Sequence, residues 1–219
     1  MQRRRRTALA VSAALLAAAP LLTACGNDSH PGAAAVIDGQ RIEVATLQSQ
    51  VREVREAQLA APEPVRLIEN TERLNLAKLN GMIFDRVLTR SAADAGVKIT
   101  RKEIQTARQQ AAAQSGGAAR FAETALQQGG LAPGQIDSAV RREVLLNKLA
   151  MALGADTMTP HGQQKVLAEL VATSKKLRVD VNPRYGSWDD AEVKLVGAKT
   201  PWITQLTQET PAQQPPSGI

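Results

Sequence analysis

The sequence predicts a mainly α fold with a small β element that pairs strands near the two ends of one domain. Three observations lead there. Alanine supplies 37 of 219 residues and only five are aromatic, so the 43% hydrophobic content is largely small side chains. These suit closely packed helices better than the Val-, Ile- and aromatic-rich faces of a β-sandwich. Apolar residues recur at spacings of three and four through two long stretches, about 66–95 and 133–153, which is the period of a one-sided helix. Short strand-like runs lie at Val36–Ile42 and Leu177–Val181, the second alternating with period two.

Charge and cysteine content narrow the class of function. The chain carries 27 Lys+Arg against 21 Asp+Glu, a net charge of +6. Four of those bases are Arg3, Arg4, Arg5 and Arg6, and no acid precedes Asp28. Without residues 1–24, 23 bases face 21 acids, and +2 is no electrostatic footprint for nucleic acid. One cysteine and two histidines exclude a disulfide framework and any zinc site built from Cys/His clusters.

Residues 1–24 read as an export signal. Arg3–Arg6 form the positive region and Ala8–Leu22 the apolar one, too short for a permanent span, which needs roughly 20 residues. The run Leu22-Thr23-Ala24-Cys25-Gly26 is similar to the bacterial lipobox, cut before a cysteine that receives a diacylglycerol. Cys25, the sole cysteine, is therefore the expected lipidation site, and two or more acyl chains make a durable anchor. Residues 25–34, rich in turn formers from Gly26 to Gly32, read as a flexible tether.

The helical domain is expected over 35–204. Asp38-Gly39 between apolar residues signals a hairpin. Leu47, Val51, Val54 and Leu59 mark a helix that must stop near Pro62 and Pro64. The longest helix is expected from Arg66 to Ala95, with Gly96 in the left-handed position after it. Thr100-Arg101-Lys102-Glu103 matches a capping box opening a helix to about Ser115. Gly116-Gly117 breaks it, and a short helix around Phe121, Ala125 and Leu126 ends at Gly129-Gly130. Pro133 suits the first turn of the next helix, which Gly154 closes. Thr159 and Pro160 open another, carrying Val166, Leu167, Leu170 and Val171. Residues 205–219, with Pro211, Pro215 and Pro216, read as a disordered tail.

Three stretches together resemble the N-terminal domain of SurA-type periplasmic chaperones and the related PrsA-type foldase lipoproteins. Ala35-Val36-Ile37-Asp38-Gly39-Gln40-Arg41-Ile42 is similar to the family's initial strand–turn–strand. The apolar spacing from Leu79 through Met82, Ile83, Val87, Leu88, Ala92 and Gly96 to Ile104 resembles its helix–turn–helix. Val179-Asp180-Val181-Asn182-Pro183-Arg184-Tyr185-Gly186-Ser187-Trp188 resembles its returning strand and loop. The likeness spans roughly 34–196. In many relatives a parvulin prolyl isomerase of about a hundred residues interrupts this domain. Here Gly154 to Lys176 leaves room for one helix, and His161 is the single histidine in reach, so no isomerase is expected.

The resemblance implies a non-enzymatic, ATP-independent holdase for unfolded or nascent secreted proteins, attached to the membrane through its lipid anchor. No cofactor is expected, and no nucleotide, since Walker and Gly-x-Gly-x-x-Gly elements are lacking. The alternative is an adaptor lipoprotein that uses the same fold for one envelope partner. His161 reads as a surface residue and His30 as part of the tether. Asp189, Asp190 and Glu192 offer oxygen ligands for calcium, yet without EF-hand spacing they read as a solvated loop. Tyr185 and Trp188 either touch a client or pack a strand against a helix.

Overall fold

The computed structural model describes residues 31–197. β1 (Ala33–Ile37) and β2 (Gln40–Glu43) form the expected hairpin, with Ile37 opposite Gln40 and Ala35 opposite Ile42. Asp38 and Gly39 turn the chain at φ of 49° and 75°, the two left-handed residues that a type I′ turn requires. The free edge of β1 takes β3 (Asp180–Val181), with Ala35 opposite Val181 and Val36 opposite Asp180. The sheet order is β2-β1-β3, all antiparallel, so the expected pairing of strands from the two ends of the domain is present. Asn182 reinforces it, its backbone N–H donating to Ala34 O at 3.0 Å and its side chain to Ala33 O at 3.1 Å. β1 thus takes up Ala33 and Ala34, both fully buried, two residues earlier than the domain boundary read from the sequence.

α1 (Val44–Leu59) follows directly and buries Leu47, Val54 and Gln58. The single helix expected over 66–95 is two helices, α2 (Pro64–Glu69) and α3 (Leu74–Asp94). The break has a tertiary cause. Helix ends expose carbonyls that need partners, and side chains of α1 supply them. Arg55 donates to Thr71 O at 2.9 Å and to Thr71 Oγ1 at 2.8 Å, while Gln58 donates to Leu67 O and Thr71 Oγ1, each at 3.0 Å. Thr71 Oγ1 itself donates back to Leu67 O at 2.8 Å.

α3 is central and lies against α1, α6 and α7, burying Leu79, Ile83, Val87, Leu88 and Ala92. It closes as expected at Gly96, φ 71°, with Val97 N–H on Ala92 O and Gly96 N–H on Ala93 O, the paired bonds of a Schellman end. α4 (Arg101–Gln114) starts with the full capping box between Thr100 and Glu103. α5 (Ala118–Gly129) follows the glycine break, and a single 3-10 turn at Pro133–Gln135 leads into α6 (Ile136–Ala152). Thr159 caps α7 (Pro160–Leu177), accepting from Gly162 N–H at 3.1 Å.

The strand read from Leu177 begins three residues later. Leu177 completes the buried stripe of α7 with Val166 and Leu170, and Arg178, left-handed at φ 49°, turns the chain before Asp180. A hairpin of β4 (Ser187–Asp189) and β5 (Lys194–Val196) then leans on α3, where Leu195 N–H donates to Asn80 Oδ1 at 2.7 Å. No helix among the described residues is long and apolar enough to cross a membrane. The leader, Cys25, His30 and the tail 205–219 lie outside the described residues.

Candidate functional site

The long apolar stripes are consumed as core. Leu79, Ile83, Val87 and Leu88 of α3 belong to one cluster with Leu145 and Leu149 of α6 and Val166 and Leu170 of α7. A smaller cluster gathers Val54, Leu67, Leu74, Leu126 and Ala132. Single apolar side chains stay exposed at Leu59, Val65, Met151 and Met158, and an apolar depression lies on α7. With Val166, Leu170, Thr173 and Leu177 turned inward, the helical period carries Leu167, Ala168, Val171 and Ala172 to the outer flank. They line a shallow depression of about 430 Å3, bounded by Gln164, Lys175 and Ala191, and Leu167 is 42% exposed.

The β4–β5 hairpin frames that depression through one hydroxyl. Trp188 Nε1–H donates to Ser174 Oγ at 2.7 Å, and Ser174 Oγ–H donates to Asp190 Oδ1 at 2.5 Å. Tyr185, 8% exposed, and Trp188 both pack on the main core, which is the packing role rather than the client-facing one. The three acids are likewise occupied, two within the hairpin and one by α7. Asp189 accepts from Ala191 N–H and Glu192 N–H, Asp190 from Ser174, and Glu192 pairs with Lys194. Among the described residues no three His, Cys, Asp or Glu side chains are grouped to hold a metal. His161 is exposed at the start of α7.

A second concavity, about 370 Å3, lies between α1, α3 and α6 and is polar. Lys78 reaches into it from α3 and donates to Gln135 Oε1 at 2.5 Å; Gln135 in turn donates to Gln50 O at 2.8 Å and Glu53 Oε2 at 3.1 Å. Arg142 makes a two-pronged pair with Asp85 at 2.5 and 2.8 Å. Its guanidinium lies over Gly81, where a Cβ would come within 3.3 Å of it. Burial, and next the charge of Arg142, push the Lys78 amine down to about 8, with Glu53 opposing. Asp85 holds Arg142 more firmly protonated than usual. Sequence reasoning passed over both cations. The available signal was Lys78 itself, a charge four residues from both Leu74 and Met82 inside an apolar stripe, where lysine is rare unless it has a role.

The described residues form a helical domain closed by a three-stranded sheet, with an apolar concavity on α7 and a polar one between α1, α3 and α6 among its surface depressions. More specifically, the family model for the SurA-like N-terminal domain matches residues 1–150, and the chain belongs to that family. The family's domain is of chaperone type and non-catalytic, and its members as a family bind unfolded proteins. The match runs to α6, with α7 and β3–β5 beyond it. No curated protein and no solved structure matches the chain.

Proposed function

We propose that this protein is a lipid-anchored, ATP-independent holdase for secreted or cell-envelope chains, working outside the cytoplasm without prolyl isomerase activity. The observation that carries the reading is membership of the SurA-like N-terminal domain family. The exposed α7 flank adds a surface of the right chemistry, because burial of small apolar groups is non-directional and accepts many sequences. The arginine-rich leader and Leu22-Thr23-Ala24-Cys25 support the anchor at Cys25, and a tether raises local concentration at the membrane. The interval between α6 and β3, where relatives carry an isomerase, holds the 18 residues of α7, which supports the reading without catalysis.

Light scattering of a chemically denatured model protein tests the function. The purified protein suppresses aggregation without ATP, and Leu167→Glu weakens the suppression. No suppression at several-fold excess, together with tight capture of one folded envelope protein, replaces the holdase with an adaptor. Prolyl isomerase turnover refutes the non-catalytic part. Mass spectrometry of the amino terminus tests the anchor: the wild type carries acyl chains on Cys25, Cys25→Ala carries none, and a free thiol in the wild type overturns it.

A further inference from the structure

We propose that the polar cleft between α1, α3 and α6 is a binding site for a carboxylate group, held between Lys78 and Arg142. Lys78 is 9% exposed, and its ammonium has three protons to place. One goes to Gln135 Oε1. No carboxylate among the described residues takes another, and the neighbouring Glu53 accepts from the amide of Gln135. A purely structural buried lysine is expected to meet its acid directly; this one meets a neutral amide and keeps donors for the cleft. Arg142 spends Nε and Nη2 on Asp85 and leaves Nη1 without a protein acceptor among the described residues.

The two cations therefore repel across a space that protein atoms do not fill. A group with one negative charge and two oxygens relieves that repulsion and accepts from both. Asp85 and Glu53 border the same cleft, so a doubly charged phosphate is disfavoured and a singly charged carboxylate fits. Leu74, Met82 and Leu131 line the remainder and suit a short apolar stem. The carboxylate comes either from a small free acid or from the carboxyl terminus of a polypeptide. The site is separate from the α7 flank and does not depend on the holdase reading.

The test follows the Lys78 Cε–Hε resonance of the full-length protein labelled with 13C-lysine. The probes are acetate, trialanine and trialanine amide. Saturable shifts with acetate or trialanine, and none with the amide, uphold the site. A response to trialanine alone assigns it to chain termini, and a response to acetate alone to small acids. Lys78→Met weakens binding at least tenfold. Where that variant fails to fold, the native protein decides, because acetate must raise the titration midpoint of Lys78 relative to chloride at equal ionic strength. Absence of saturable binding by either acid, equal binding of the amide, or an unmoved midpoint overturns the proposal.

Discussion

Replacing Gln58 with alanine should unlock the break between α2 and α3. Gln58 is wholly buried. Its amide donates to Leu67 O and Thr71 Oγ1 and accepts from Arg55 Nη1 at 2.8 Å. Each neutral bond is worth about 1 kcal/mol net. Arg55 keeps Thr71 Oγ1 and Thr71 O, so loss of its bond to Gln58 adds only about another 1 kcal/mol. The emptied volume adds about 1 kcal/mol more, and the whole loss is about 3–4 kcal/mol. With a urea slope of about 2 kcal/mol per molar, the unfolding midpoint falls by roughly 1.5–2 M at unchanged slope. Gln58→Leu preserves most of the volume and should lose about 1 kcal/mol less. Amide exchange at 70–73 should rise in both variants. A Gln58→Ala shift below about 0.5 kcal/mol, with exchange at 70–73 unaltered, would refute the view that α1 side chains hold the break.

Ser174→Ala leaves the Trp188 N–H and Asp190 without their shared partner and should lower stability by about 1–3 kcal/mol, read by denaturation with a red shift of tryptophan emission; an unmoved midpoint shows the hairpin is held by other contacts. Glu103 is pushed down to about 2, first by the hydrogen bond from Lys148 at 2.6 Å and then by those from Thr100. Its contribution is therefore fully present above its ordinary value near 4.5 and disappears as pH falls to about 2. The stability gap between wild type and Glu103→Gln should close over that window. Lys78 is lowered for a different reason, burial first, and its charge costs stability in the folded state. With its folded value near 8 against 10.5 when exposed, the unfolded chain binds the extra proton, so stability rises with pH between those values. Lys78→Met should flatten that rise in denaturation measured from pH 7 to 11.

Local signals transferred well from sequence to structure. Asp38-Gly39, Thr100-Glu103, Gly96 and Thr159-Pro160 each specify geometry through a few neighbouring residues, and all four sit where that chemistry requires. Nonlocal causes were invisible. Thr71 looks like an ordinary helical residue until Arg55 and Gln58 of α1 meet it. Leu177 fits either a strand of period two or the last turn of α7, and packing on the core chose the helix. The candidate sites divide in the same way. The α7 flank follows from the helical period once its inward residues are known, whereas the cleft joins Lys78 to Gln135, 57 positions apart, and no spacing rule reaches that far.

The sheet order β2-β1-β3 puts the first strand of the domain in the middle. A chain that emerges amino end first, as every chain does during synthesis, therefore makes its hairpin early and then waits. The second edge of β1 stays open until Asn182, 149 positions beyond Ala33, has emerged. Contacts of such range are slow to form, and an open strand edge is a template for the wrong neighbour. Until Asn182 arrives, the domain carries an open strand edge of its own. The sheet becomes complete only after all seven described helices have emerged.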